Sequence, residues 1–160
     1  MKAGIAPSTG KPALITAAGF RELLEREHPF ATLLIMEILE IGHGSARLRL
    51  PDQPEHQRQG GTVAGPMLMA LADVALYAAV VGATGEPRAV TASLSINFMR
   101  AAPPGGVLAH AHIHRSGRLA SGECCLYTAD GSQMIAQAIS AFALPAQAAQ
   151  KRPQHAEADH

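Results

Sequence analysis

The sequence of 160 residues has no tryptophan, four phenylalanines, two tyrosines and two cysteines, and only 16% of it is charged. Its 13 basic and 13 acidic residues cancel. No basic stripe interleaved with aromatic residues runs along any segment, so the electrostatic footprint of a nucleic-acid-binding protein is missing. The two cysteines, Cys124 and Cys125, are neighbours. Neighbours on a strand point to opposite faces, which excludes a disulfide framework or a four-ligand zinc site built on them. There is no Gly-x-Ser-x-Gly elbow and no Gly-rich phosphate-binding loop ending in Gly-Lys, against a serine hydrolase and a nucleoside triphosphatase. Met1 to Gly19 holds no continuous apolar run followed by a small-residue cleavage site, so no secretory signal is read, and a reducing, cytoplasmic compartment is the expectation.

A chain of this length closes one hydrophobic core. Residues 1–15 and 145–160, rich in Ala, Pro, Gln, Lys and His without a sustained period, read as flexible tails around a single domain over 16–144. Phe20, Leu23, Leu24 and Glu27 lie at helical spacing within Ala17 to Glu27, and His28-Pro29 stops that helix. Thr32 to Ile41, dense in Leu and Ile, and Ser45 to Leu50 read as a hairpin about Gly42-His43-Gly44. Pro51 to Gly61 is a loop long enough for function. From Val90 to Phe98 apolar and polar residues alternate, and strands over Val107 to Arg115, Arg118 to Ala129 and Ser132 to Leu144 follow, divided by Ser116-Gly117 and Asp130-Gly131 turns. The expected fold class is α+β: two strands, one long buried helix, then four antiparallel strands.

Between Pro66 and Ala83 the one charged residue is Asp73. The run approaches the length of a membrane span. Its central Asp, its alanine content and the lack of flanking basic or aromatic anchors favour instead a helix that a sheet wraps around. Burying an ionised carboxylate without partners costs several kcal/mol or more, so this residue is the informative anomaly. Desolvation raises its pKa and makes it a better base and nucleophile. The structural alternative is an Asp bonded to a neighbouring backbone amide. Gly65-Pro66 marks the helix start, where the Gly65 N–H lies at the positive end of the dipole and suits the oxygen of a polarised carbonyl. Eight residues separate it from Asp73, about 12 Å along a helix axis. The two cannot act on one carbonyl within one chain, so a shared site needs a second subunit.

Taken in order, Gly60 to Asp73 (GGTVAGPMLMALAD), Ala89 to Arg100 (AVTASLSINFMR), Arg115-Ser-Gly-Arg118 and Asp130-Gly131 resemble the landmarks of PaaI-like hotdog thioesterases over about Pro29 to Leu144. The resemblance implies a hotdog fold, an antiparallel sheet wrapped around one long helix. It also implies homodimers joined sheet edge to sheet edge, commonly paired as dimers of dimers, with sites at the dimer interface. The implied activity is hydrolysis of an acyl-coenzyme A thioester, coenzyme A being part of the substrate and no separate cofactor being needed. Carried over by position, Asp73 is the nucleophile or general base, Gly65 of the partner chain donates its N–H to the thioester oxygen, and Thr91 assists near the attacking water. Arg58, Gln59, Gly61, Met69, Tyr77 and Arg118 are the expected substrate contacts. Ala64-Gly65-Pro66 stands where the family usually has His-Gly-Gly, and Arg58 where many members place an Asn.

Other signals carry less. His110, His112 and His114 share one strand face, but no carboxylate or cysteine joins them locally, so no metal is expected. His43 reads as a turn residue, and Arg100 and Arg115 as surface cations near strand ends. The competing functions are a non-catalytic acyl-CoA binder and, more weakly, a hotdog hydratase or dehydratase, which would pair a His with the carboxylate. No nucleic-acid or membrane partner is expected.

Overall fold

The computed structural model describes residues 10–146. Along them run α1 (Ala17–Glu27), α2 (Pro29–Thr32), β1 (Glu37–Gly42), β2 (Ser45–Leu50), a 3-10 turn (Pro54–His56), α3 (Gly65–Thr84), β3 (Val90–Phe98), β4 (Val107–Arg115), β5 (Leu119–Thr128) and β6 (Met134–Ala143). The strands form one antiparallel sheet in the order β1-β2-β4-β5-β6-β3. Alternate residues supply its inner face, among them Ala46, Leu48 and Leu50 on β2, Val107, Ala109 and Ala111 on β4, and Cys124 and Leu126 on β5, all buried. Cys125 points the other way and is half-buried. This is the expected α+β hotdog arrangement, with α3 against the inner face of the sheet.

Small residues let α3 lie close to the strands. Ala72, Ala75, Ala78 and Ala79 are fully buried, and at Gly82 a Cβ would collide with the carbonyl oxygen of Gly42 on β1. The Gly82 carbonyl also accepts the Leu14 N–H at 2.8 Å, which holds part of the N-terminal segment against the helix. The helix stops at Gly85, whose φ of 68° is left-handed and whose N–H returns to Val81 O. In length and hydropathy α3 could cross a membrane; 67% of its most apolar window is buried inside the protein. Residues 1–9 and 147–160, most of the two expected tails, lie outside the described residues.

Two departures from the sequence reading bear on the site. The expected strand over Thr32 to Ile41 begins only at Glu37. Pro29 opens a helical turn instead, closed by Thr32 Oγ1 donating to Pro29 O at 2.7 Å, and Ile35 takes a left-handed φ of 52° before the strand starts. The apolar density there was misleading because Phe30 and Leu33 are exposed. On β3 the alternation is broken by a bulge between Thr91 and Ser93. Leu94 and Ile96 pack on the core, yet Thr91, in the opposite phase, also faces α3. Its outer edge pairs with no strand among the described residues.

Candidate active site

Asp73 lies midway along α3 and faces a cavity of about 470 Å³. The cavity is bounded by the α1–α2 junction, α3 and the first residues of β3, with Leu24, His28, Phe30, Tyr77 and Thr91 on its walls. The β3 bulge turns the Thr91 side chain inward, where Oγ1 donates to Asp73 Oδ1 at 2.7 Å. Burial pushes the Asp73 pKa above the ordinary carboxylate value, opposed by the Thr91 hydrogen bond and the positive field of His28. The result is a carboxylate more basic than usual, with one oxygen occupied by a hydroxyl and a cavity in front of it.

Tyr77 follows Asp73 by one helical turn and so shares its face. Its hydroxyl donates to Pro87 O at 2.6 Å. Burial, with the nearby Glu27 and Glu86 carboxylates, pushes its pKa up to about 12. The ring is flanked by Phe20, by the edge of His28 at 5.0 Å and by Phe142. Tyr77 is a fixed wall with its proton committed, not an acid.

Gly65 opens α3, and its N–H donates to no backbone or side-chain acceptor among the described residues. A Cβ there would meet only the Phe98 ring of β3, at an ordinary 3.6 Å. The preceding loop is held by His56, buried at 5% exposure, whose Nδ1 lies 3.4 Å from Pro51 O and whose carbonyl accepts the Ala64 N–H at 2.8 Å. Gln57 bridges to Val63 and donates from Nε2 to Asp52 Oδ1, leaving Arg58 and Gln59 exposed where the loop turns and Gly61 at a φ of 84°.

One chain thus brings Asp73, Thr91 and Tyr77 together, and leaves Gly65, Arg58, Gln59, Gly61 and Met69 off the walls of that cavity. Arg118 is at the opposite end of α3, on a larger cavity of about 760 Å³ shared with Glu86, Gly117 and Leu144. That cavity pairs no carboxylate with a hydroxyl donor, and we take the Asp73 cavity as the site. His28 and Phe30, which line it, and His56 had no signal in the sequence pattern. On the outer face of the sheet His114 meets Glu123 at 3.4 Å, and no group of three potential metal ligands occurs among the described residues.

Comparison with known proteins gives a consistent picture. The thioesterase superfamily model matches residues 60–135. A candidate thioesterase of known structure from Silicibacter sp. TM1040 is 32% identical, with a TM-score of 0.76 over 86% of this chain and 96% of its own. The PaaI protein of the E. coli phenylacetic acid degradation operon has a TM-score of 0.71 at 18% identity, over 81% of this chain and 93% of its own. A hypothetical thioesterase from Streptococcus pneumoniae, solved with coenzyme A, has a TM-score of 0.64 at 18% identity, over 70% of this chain and 87% of its own. No curated protein matches the sequence.

Proposed function

The chain belongs to the thioesterase superfamily, and from that premise we propose that it hydrolyses an acyl-coenzyme A thioester, with Asp73 as general base. The observation that carries this is the hydroxyl–carboxylate pair of Thr91 and Asp73 at the wall of an apolar cavity. In the reaction the free Asp73 oxygen takes a proton from water as the water oxygen bonds to the thioester carbon. The C–S bond then breaks and the thiolate leaves. Thr91 fixes the carboxylate rotamer, and the walls around Tyr77 receive the acyl chain. The coenzyme A complex of the S. pneumoniae neighbour supports coenzyme A as the thiol half of the substrate.

Gly65 is about 12 Å from Asp73 along the helix, too far to reach the same carbonyl. We assign the oxyanion donor to Gly65 of a second copy, so the active species is a homodimer or a dimer of dimers. The open edge of β3 supports this reading, as do its exposed Val90 and Phe98, since an uncovered apolar edge strand is a template for pairing. In that assembly Arg58 and Gln59 of the partner flank the substrate, Arg58 favouring a coenzyme A phosphate over the carbonyl. The direct test is thiol release from a panel of acyl-CoA thioesters by the purified protein. Turnover of at least one thioester is expected, and binding of acyl-CoA without release of thiol from any of them would make the chain a binder instead.

A further inference from the structure

We propose that His28 is a positioning residue for Asp73, a cationic partner at the α1–α2 junction that keeps the catalytic carboxylate ionised while substrate fills the cavity. The proposal rests on Asp73 being the catalytic base. His28 is the one basic side chain among the described residues lining the Asp73 cavity. Its backbone is fixed on both sides: the N–H donates to Leu24 O at 2.8 Å and the carbonyl accepts from Ala31 N at 2.9 Å. Pro29 follows and removes further freedom. The ring stands edge-on to Tyr77 with centroids 5.0 Å apart. Tyr77, in turn, is anchored through Pro87 and lies one turn, about 6 Å, along α3 from Asp73. The imidazole is therefore held by packing in the wall of the Asp73 cavity, with no hydrogen bond to the carboxylate.

Such a partner answers a problem specific to this site. Thr91 gives Asp73 a single hydrogen bond, and an acyl chain entering the cavity expels the water that would otherwise solvate the charge. A nearby positive charge acts through the same low-dielectric space and grows stronger as water leaves. The other charged or titratable groups around it are Glu27 on α1, and Asp73 and Tyr77 on α3. Beyond α3, Glu86 is paired with Arg88 at 2.9 Å, and from β3 only the neutral Thr91 hydroxyl faces the cavity.

The test compares the pH dependence of kcat, which reads the substrate-bound enzyme, and of kcat/KM for the full-length wild type, H28Q and H28K on one acyl-CoA substrate. The acid limb of H28Q should move to higher pH, a loss of about three- to tenfold at pH 5. Above pH 7 its activity should stay within about twofold of wild type, and H28K should keep the acid limb at or below the wild-type position. A purely structural role for His28 would move all pH values together and would not be rescued by lysine. Because a substitution at a helix junction can disturb folding, the Asp73 carboxyl carbon is also titrated by NMR in aspartate-labelled wild type and H28Q, which reads ionisation without turnover. An Asp73 titration that does not move in H28Q, or an H28K profile that shifts as H28Q does, overturns the proposal. A carbon shift in H28Q combined with full turnover by D73N would leave the electrostatic coupling and remove the catalytic reading instead.

Discussion

Thr91 Oγ1 donates to Asp73 Oδ1 across 2.7 Å, tying the edge strand of the sheet to the middle of the central helix. Thr91→Val keeps the branched shape and removes the donor. A lone hydrogen bond to a charged group is worth roughly 1.5 to 3 kcal/mol, so kcat should fall on the order of tenfold or more. The acid limb should move to higher pH, because the hydroxyl is one of the influences holding the Asp73 pKa down. Thr91→Ser should recover most of both. Steady-state kinetics across pH 4 to 8 check this, and a wild-type profile for the valine variant contradicts it.

The same burial that makes Asp73 basic makes it a liability for the fold. Its pKa is raised in the folded state, so the protonated form is the one folding favours. Stability from this group is complete below the unfolded carboxylate pKa and is lost as pH rises through the folded value. Asp73→Asn, which removes the charge and keeps an acceptor for Thr91, should therefore raise Tm at pH 7 by on the order of a few degrees. The gain should shrink as pH falls through the folded Asp73 value and be gone by about pH 4, the ordinary carboxylate value. Thermal melts of both proteins at the two pH values decide it.

Tyr77 is a wall whose proton is not used. Tyr77→Phe deletes the bond to Pro87 O and should lower stability by about 1 kcal/mol, a hydrogen bond's usual net worth. Kinetic constants at pH 7 should remain within about twofold, since a hydroxyl with a pKa near 12 gives up no proton there. A large loss of kcat in a well-folded Tyr77→Phe protein would show that the hydroxyl takes part in the reaction.

If Gly65 and Asp73 meet only across two chains, inactive variants should complement each other. Gly65→Pro removes the N–H at a helix position that tolerates proline, and a Cβ at Gly65 meets only the Phe98 ring at ordinary contact distance. Refolding Gly65→Pro chains with Asp73→Asn chains should restore hybrid sites to roughly a quarter of wild-type activity by random pairing. Heterodimers confirmed by mass spectrometry that remain inactive would rule out the shared site.

Much of this architecture is legible in the residues. The apolar run of α3 with its single Asp, the alternation over Val90 to Phe98 and the Asp130-Gly131 turn specify a helix within an antiparallel sheet, because each pattern leaves one burial geometry open. The Thr91 contact is not written in the alternation, which groups Thr91 with Ser93 and Ser95 on the polar face. A bulge, a tertiary feature of the β3–β6 pairing, turns it inward. Thr32 to Met36 has the composition of a strand and the structure of a helical turn and a left-handed residue, since Pro29 starts a helix and only Leu34 and Met36 reach the core while Leu33 and Ile35 stay exposed. His28 and His56 carry no local signal at all. Their roles arise from packing against residues far away in the chain or from closing a loop.

The central claim is that Asp73 is the base that hydrolyses the thioester. Its most direct measurement is thiol release by purified, folded Asp73→Asn on the best substrate of the wild type. Asparagine is nearly isosteric and neither takes a proton from water nor attacks the carbonyl, so kcat should fall by about 10²- to 10⁴-fold with KM little changed. Turnover within a few-fold of wild type by a folded Asp73→Asn protein would contradict the account.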